Sequence, residues 1–424
     1  MINSGDTAFM LISAALVCLM TPGLAFFYGG LVRKKNVLTI MTQIFISIGI
    51  VSAIWFLCGF SLAFGPDVKG IIGNMHYAFL NGVGMLPNHI YGHTIPFMVF
   101  FIYQQMFAIV TPALITGAFA DRVNFKSYLI FSVAWSFLVY IPLVHWIWGG
   151  GFLQKLGVID FAGGIVVHLS AGFAAWASVF FIGKRIILPN EDNTPHNITY
   201  VALGTGLLWF GWFGFNGGGA LAANGTAAVA FVNTNIAGSI AMVTWLIISW
   251  VHKKRPSFMG TLTGAVAGLV TITPAAGYVE PWAAVIIGLA ASTACYLAIQ
   301  LRMKLGLDDA LDVWGIHGVG GMLGSILLGV FAVKSIGGVD GWIAGNFNQF
   351  IIQLFAVVIT AAYSFIVTFV LLKVINHFVP VRVSKEEEII GLDDSIYKEH
   401  AYNMLSFNQH SKVQPIEAEK LIMK

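Results

Sequence analysis

The sequence contains uninterrupted apolar stretches that are too long for the core of a water-soluble domain. Residues 44–64, IFISIGIVSAIWFLCGFSLAF, carry no charge and exceed the roughly 20 residues with which an α-helix crosses a bilayer. The stretch is apolar on all sides, which indicates a helix rather than a half-buried strand. Only 10% of the 424 residues are charged, against roughly 25% in soluble domains. The sequence therefore predicts an all-α polytopic membrane protein.

Apolar stretches of bilayer length divide the chain into a membrane domain and a polar tail. The eleven predicted transmembrane helices are 7–29, 37–63, 95–118, 128–149, 161–182, 198–215, 227–251, 260–276, 282–301, 312–333 and 347–379. We predict a transmembrane domain over residues 1–379 and a cytoplasmic regulatory tail over residues 380–424. No basic leader precedes the first helix, so we expect it to be retained rather than cleaved.

The distribution of basic residues orients these helices. Twelve Lys and Arg residues lie in the loops after the first, third, fifth, seventh and ninth helices, whereas three lie in the other loops. The remaining seven lie towards the C-terminal end. Cytoplasmic loops carry the excess of Lys and Arg. We therefore expect an inner (plasma) membrane protein with its N-terminus outside and its C-terminus in the cytoplasm.

Two histidines lie deep inside predicted helices that run in opposite directions. His168 follows Asp160 by about 12 Å of helix, close to the middle of a hydrocarbon core about 30 Å thick. His317 follows Asp312 in the tenth helix, which runs the other way. This correspondence predicts two inverted five-helix repeats, about 7–182 and 198–333, and a long eleventh helix at 347–379. A two-fold axis in the membrane plane would bring the two histidines together.

The paired histidines allow three interpretations. They could ligate a metal ion or haem, but no Cys, Glu or further His on the adjacent helices completes a ligand set, and we predict no metal or cofactor. They could form a purely structural hydrogen bond. They could also line a path for a small polar molecule, since a neutral imidazole offers one donor and one acceptor. Asp160 and Asp312 are each expected to cap the helix that follows.

Aromatic residues gather near the outer ends of three predicted helices. Tyr103 and Phe107 share a face of the third helix, Trp148 ends the fourth, and Trp212 and Phe215 lie near the end of the sixth. Such rings often form an interfacial belt. Several aromatic rings whose faces surround the outer opening would also attract a small cation.

Several motifs, taken in order, resemble the ammonium transporter family, Amt/Mep/Rh, and most nearly its bacterial and archaeal Amt branch. They are GLAFFYGGLVRKKNVL, DFAGGIVVH, WFGWFGFNGG, DVWGIHGVGG and GLDDSIYKEHAYN, and the resemblance covers about residues 5–403. It implies an eleven-helix fold with a five-plus-five inverted repeat, assembled as a homotrimer with one pore in each subunit. It also implies a transporter rather than an enzyme, with ammonium or its analogue methylammonium as the ligand and no nucleic-acid partner.

The resemblance assigns roles to individual residues. Trp148 and Phe107 match the outer cation site, Phe107 and Phe215 match a stacked gate, and His168 and His317 match the twin histidines of the pore. Asp160 matches an aspartate that shapes the outer site, and Trp212 and Asp312 are expected to support the path.

Two positions of the outer site depart from the family pattern. Tyr103 stands where the family usually has Phe, which keeps the ring. Gly219 stands where the family often has Ser, whose hydroxyl would accept a hydrogen bond from the cation. A weaker outer site is one expected consequence, and a water molecule in place of the hydroxyl is the other.

The resemblance leaves two functions open. In one, the protein captures NH4+, removes a proton and conducts NH3 past the twin histidines with a proton relay. In the other, it is an ammonium sensor that signals through its C-terminus with little net transport. The tail segment KEEEIIGLDDS resembles a regulatory C-terminus that can engage PII-type signalling proteins or a downstream signalling domain, although its acids could simply solvate the tail.

Overall fold

The computed structural model describes residues 1–189, 191 and 194–402. Within them, ten helices are long and apolar enough to cross a membrane, and a further apolar helix, Phe258–Ile272, has only 15 residues. In chain order these helices are α1 Ser4–Leu31, α2 Lys34–Phe64, α3 Phe97–Phe119, α4 Phe125–Lys155, α5 Gly164–Ile182, α6 Ile198–Ala220, α7 Gly225–Lys253, α8 Phe258–Ile272, α9 Pro281–Lys304, α10 Trp314–Phe331 and α11 Phe347–Phe378. The predicted eleven-helix membrane fold is confirmed.

Most of these helices begin at a side-chain cap. In six of them an Asn or Ser side chain accepts a backbone N–H of the first turn, which satisfies a donor that the helix leaves free. The capping residues are Asn3, Asn124, Asn197, Asn224, Ser257 and Asn346. The caps make the helix starts readable in the sequence. In α4 the continuous helix ends at Trp148, close to the predicted end at residue 149, and a separate short turn, Phe152–Lys155, follows the glycines. In α6 the helix runs to Gly217, two residues beyond the predicted end.

Two short hairpins lie between α2 and α3 and were not predicted. Strand β1 (Asp67–Val68) pairs with β2 (Ile72–Gly73), and β3 (Pro87–Asn88) pairs with β4 (Gly92–Pro96), both antiparallel. Strands β1, β2 and β3 have only two residues each and leave no alternating pattern in the sequence, and the five residues of β4, GHTIP, do not alternate between polar and apolar.

The first hairpin is fixed to the end of α4 by polar contacts. Trp146 Nε1 donates to Ile71 O at 2.8 Å, and His145 Nε2 lies 2.9 Å from Asp67 Oδ1. Hydrogen bonds from Lys155 and His145 lower the pKa of Asp67 to about 2. We use "outer" for the end of the bundle that carries this hairpin, following the predicted orientation, and "inner" for the opposite end.

The two halves of the chain pack so that equivalent helices meet. The first helices of the two halves, α1 and α6, pack along each other, and α5 lies beside the start of α10. A Cβ atom at Gly172 of α5 would overlap the backbone of His317 and Gly318, so the two backbones touch where these helices cross. Both α5 and α10 begin with a π-helical turn, Gly164–Leu169 and Trp314–Gly318, a distortion that is frequent at functional sites.

The long helix α11 and the segment after it hold α5, together with the turn before α5, at three heights. At the outer end, the Gln353 side chain accepts from Ile159 N at 2.9 Å and donates to Ile159 O at 2.8 Å. Midway, Ser364 Oγ donates to Ser170 O at 2.6 Å. Beyond the inner end, Arg382 Nη1 donates to Ile182 O at 3.0 Å. Because α5 carries His168, these contacts fix the position of that histidine.

The beginning of the tail returns to the inner end of the bundle. A short helix, α12 (Lys385–Ile390), is followed by Asp393, whose carboxyl accepts from Leu38 N at 2.9 Å and from Thr39 N at 2.8 Å. The tail thereby caps α2, and burial raises the pKa of Asp393. The division at residue 380 remains a prediction, and residues 403–424 of the predicted tail lie outside the described residues.

Candidate functional site

The outer entrance of α5 is organised by one aspartate. Asp160 Oδ1 accepts from the N–H groups of Gly163 and Gly164 at 2.9 and 2.8 Å, and Oδ2 accepts from those of Ile165 and Val166 at 2.8 and 3.1 Å. Gly163 has φ +104°, a conformation that favours glycine. The carboxyl thus caps the π-turn that presents His168, as the capping prediction required.

The expected cap at Asp312 is wrong, because a different aspartate caps α10. Asp309 Oδ1 accepts from Val313 N at 3.1 Å and Oδ2 accepts from Trp314 N at 2.8 Å. Asp312 has φ +57°, which carries its side chain away from the helix start and into an ion pair with Arg302. Asp309 precedes His317 by the same number of residues that separates Asp160 from His168, so it is the repeat equivalent of Asp160.

The two histidines meet in the interior. His168 Nδ1 lies 3.2 Å from His317 Nδ1, and the ring centroids are 5.2 Å apart. One Nδ1 must donate and the other accept, so the pair shares a single proton along this contact. His168 Nε2 is buried and has no partner. Trp212 lies beside the His168 ring at 5.4 Å and is fixed through Nε1, which donates to Thr273 Oγ1 at 2.8 Å.

Aromatic rings close the path on the outer side of His168. The rings of Phe107 and Phe215 are 4.3 Å apart, and the Phe215 ring lies 5.8 Å from that of His168. The Tyr103 ring contacts Phe107 at 4.9 Å, and its hydroxyl donates to Phe215 O at 2.7 Å, so Tyr103 links the two residues of the predicted gate. Trp148 lies 6.2 Å from Phe107, edge to face, and its Nε1 donates to Asp160 O at 2.8 Å.

Three cavities follow one another from the outer aromatic rings, past the two histidines, to the inner end of the bundle. An outer cavity of about 250 Å³ is lined by the aromatic residues Tyr103, Phe107 and Trp148, together with Asp160 and Gly219. Beyond the gate, a slot of about 20 Å³ contains both histidines between apolar side chains. An inner cavity of about 390 Å³ again touches His317. The slot, narrow and almost wholly apolar, separates two larger mouths.

Gly219 lies at the outer cavity in a crowded position. A Cβ atom there would lie 2.7 Å from Phe161 O and 3.0 Å from Phe161 Cε1. Phe161 therefore occupies the room that a larger residue would need. The missing hydroxyl at this position cannot be restored without moving Phe161.

The wall of the inner cavity combines charged residues with Phe27, Tyr28 and aliphatic side chains. Arg33, Arg185, Arg302 and Asp312 contribute to its wall. Burial and then the charge of Asp312 raise the pKa of the adjacent Asp309 to about 7, against the hydrogen bonds from Trp314 and Val313 N–H and the charge of Arg302.

A second aspartate beside this cavity behaves in the opposite way. Burial alone would raise the pKa of Asp308, but the hydrogen bonds and charge of Arg185 lower it to about 2. The inner mouth therefore contains a network of paired charges.

Three residues of the site escaped the sequence reasoning. Asp309 could have been found from its spacing to His317. Gln104 at the outer cavity and Gln353 on α11 are polar residues within apolar helices, a signal that the sequence contains without showing their partners. In the described part of the chain, no group of three or more His, Cys, Asp or Glu side chains could hold a metal ion.

Two mouths joined through a buried polar pair inside an inverted-repeat helical bundle define a membrane transport protein. Residues 8–402 match the Ammonium Transporter Family. The ammonium transporter of Bacillus subtilis is 47% identical over 401 residues, which cover 94% of this chain and 98% of that protein. The chain belongs to the ammonium transporter family, it is an integral membrane protein, and its relatives are named transporters rather than enzymes.

Solved structures agree with this assignment. The crystal structure of Saccharomyces cerevisiae Mep2 superposes with a TM-score of 0.85 at 35% identity, covering 91% of this chain and 88% of that one. A structure titled "Sensor Amt Protein" has a TM-score of 0.85 at 31% identity, covering 92% of this chain and 98% of that one. The family supports ammonium transport as the function.

Proposed function

We propose that the protein captures NH4+ in the outer cavity, removes one proton at the gate and conducts NH3 through the slot past His168 and His317. The observation that carries this proposal is the slot itself, which holds the 3.2 Å imidazole pair in about 20 Å³ of apolar space. A charged ion in such a space would lose its hydration without replacement, whereas a neutral molecule would not.

Capture takes place where rings surround the cation. Phe107 and Trp148 offer π faces to the outer cavity, and the Trp148 N–H is already used by Asp160 O. Each desolvated cation–π contact contributes about 1–2 kcal/mol. Asp160 acts indirectly, because its oxygens are occupied by four backbone N–H groups. Tyr103 positions the gate through its bond to Phe215.

The proton and the neutral ammonia then move along the histidines. NH4+ gives up one proton and becomes NH3, which enters the slot when the rings of Phe107 and Phe215 part. His168 Nε2, buried and unpartnered, receives the proton, and the Nδ1 contact passes a proton to His317. His317 borders the inner cavity, where the proton is released. K+ has no proton to give up and is rejected at the slot.

A second candidate function is ammonium sensing. It is favoured by the likeness to the structure titled "Sensor Amt Protein" and by the docking of the tail segment around Asp393 on α2. In that case the cavity would bind ammonium and the tail would pass on occupancy, with a PII-type protein or a signalling domain as the receiver. Net flux separates the two functions.

The orientation and assembly belong to the same proposal. We place the N-terminus outside and the tail in the cytoplasm of the plasma membrane. The basic loops and the docked tail share the inner end, which supports this placement. The homotrimer is carried over from the family resemblance.

Currents through protein-loaded membranes test the proposal. Ammonium pulses should give currents in the parent protein, and potassium pulses should not. His168→Ala/His317→Ala should lose the ammonium current or its selectivity, and His252→Ala, which changes a histidine away from the path, should retain both. Selective currents in the double variant would contradict the histidine path, and ammonium binding without flux in the parent would favour the sensor.

A further inference from the structure

An ammonium ion in the outer cavity needs hydrogen-bond acceptors as well as rings. NH4+ has four N–H donors, and aromatic faces compensate its charge without satisfying all of them. A buried donor without an acceptor is costly, and more so when it is charged. The outer cavity should therefore contain at least one oxygen that is free to accept.

The acceptor cannot come from position 219. Gly219 has no side chain, and Phe161 fills the space next to it. The polar side chains described above at the outer cavity are already engaged. The Tyr103 hydroxyl donates to Phe215 O, the Trp148 N–H donates to Asp160 O, and the Asp160 oxygens accept from backbone amides.

Gln104 has the properties that the missing acceptor requires. It lies on α3, three residues before Phe107, and lines the outer cavity. The residue is only 8% exposed, and its Oε1 is buried without a hydrogen-bond partner. Leaving a buried amide oxygen unpaired is unfavourable unless a ligand or water completes it.

The neighbouring glutamine, Gln105, is equally buried but has a hydrogen-bond partner, so the lack of a partner is specific to Gln104. Gln105 is 7% exposed, almost the same, yet its Nε2 donates to Ser52 O at 3.3 Å. Gln105 therefore joins α3 to α2, whereas Gln104 lines the cavity and its buried oxygen is unused. The two adjacent residues differ in role but not in type or burial.

We propose that the side-chain carbonyl of Gln104 accepts a hydrogen bond from ammonium in the outer cavity and replaces the hydroxyl that is missing at Gly219. A rotation of the terminal amide brings the oxygen towards the ion while the helix and the rings stay in place. This inference rests on the proposed function, because it adds an acceptor to the same outer site.

The test compares ammonium currents of the parent, Gln104→Met and Gln105→Met in reconstituted membranes. Methionine keeps the length of the side chain and removes the carbonyl. Gln104→Met should raise the half-saturating ammonium concentration about tenfold, the usual loss for one hydrogen bond to a charged group. The maximal current should change less, since the gate and the histidines are intact. Gln105→Met should leave the half-saturating concentration unchanged.

Two further measurements separate ligand binding from a structural effect. Gln104→Met removes an unpartnered group, so its melting temperature in detergent should not fall, whereas that of Gln105→Met should fall. Gln104→Glu restores an oxygen and should return the half-saturating concentration towards the parent value. An unchanged value in Gln104→Met, an equal shift in Gln105→Met or no recovery in Gln104→Glu would overturn the inference. Absence of current in the parent would instead overturn the proposed transport function.

Discussion

The outer entrance of α5 and the inner entrance of α10 share one arrangement but have different surroundings. Each has an aspartate before a π-turn that presents a buried histidine. Asp160 accepts from four backbone amides and adjoins a cavity lined by rings, whereas Asp309 accepts from two and adjoins arginine–aspartate pairs. The repeat thus fixes the histidines symmetrically, while the side chains at each mouth differ, as capture on one side and release on the other would require.

The largest expected difference between the two entrances is the loss of stability when the capping aspartate of each is removed. Asp160→Ala strands four buried N–H groups and should destabilise the protein by ~6 kcal/mol, whereas Asp309→Ala strands two and should cost ~3 kcal/mol. We expect no measurable ammonium current for Asp160→Ala. Melting temperatures in detergent, with Asp160→Glu as the carboxyl-retaining control, measure the difference. Equal losses at the two positions would show that the entrances are not energetically distinct.

The next effect is the dependence of stability on pH at the inner entrance. Asp309 keeps its proton in the folded protein to about pH 7, whereas its ordinary pKa is 3.8. Between these values the folded protein binds more protons than the unfolded chain, so stability falls as pH rises from about 4 to 7. The fall is ~4 kcal/mol at most. Melting curves at several pH values should show this fall in the parent and lose it in Asp309→Asn; parallel curves would refute the assignment.

A smaller effect is expected from the charge network at the inner mouth. Arg185 contacts Asp308 at 2.8 Å and Asp121 at 3.4 Å, and its side chain is 12% exposed. Arg185→Met leaves both carboxyls without this partner and should lower stability by about 3 kcal/mol. Chemical denaturation in detergent measures the loss of stability. A change below about 1 kcal/mol would mean that water replaces the hydrogen bonds that Arg185 makes to the two carboxyls.

The smallest effect is expected at the outer hairpin. Lys155 contacts Asp67, but its side chain is 59% exposed, and exposed ion pairs contribute little. Lys155→Met should change stability by less than about 1 kcal/mol and leave the ammonium current intact. Chemical denaturation in detergent again measures the change in stability. A loss of stability as large as that of Arg185→Met would show that the ion pairs at the two ends of the bundle contribute equally.

Hydrophobic length, basic loops and the depth of two histidines were sufficient to predict the helices and the inverted repeat. His168 and His317 each lie deep inside predicted helices that enter the membrane from opposite sides. The sequence therefore places both histidines near the middle of the bilayer. Helix length, loop charge and depth are properties that a local pattern carries. The pairing of Phe107 with Phe215 was instead implied by the family resemblance, because helix periodicity does not specify which residues of two different helices face each other.

Other features depend on contacts that no local pattern specifies. Asp312 is the first residue of a predicted helix, and only its positive φ reveals that its side chain turns towards Arg302. Gln353 binds Ile159, 194 residues away, so its role requires the packing of α11 on α5. Three of the four hairpin strands have only two residues and leave no pattern. The crowding at Gly219 depends on where Phe161 lies.

The contact between Gly172 and the backbone of Gly318 fixes how closely α5 and α10 approach each other. Since main chain meets main chain at that crossing, side-chain rotamers do not set the distance between the two helices that carry His168 and His317. The walls of the slot, by contrast, are side chains such as Leu24, Leu114 and Phe215. We therefore expect any widening of the slot to come from rotation of these side chains, with the helix crossing unchanged.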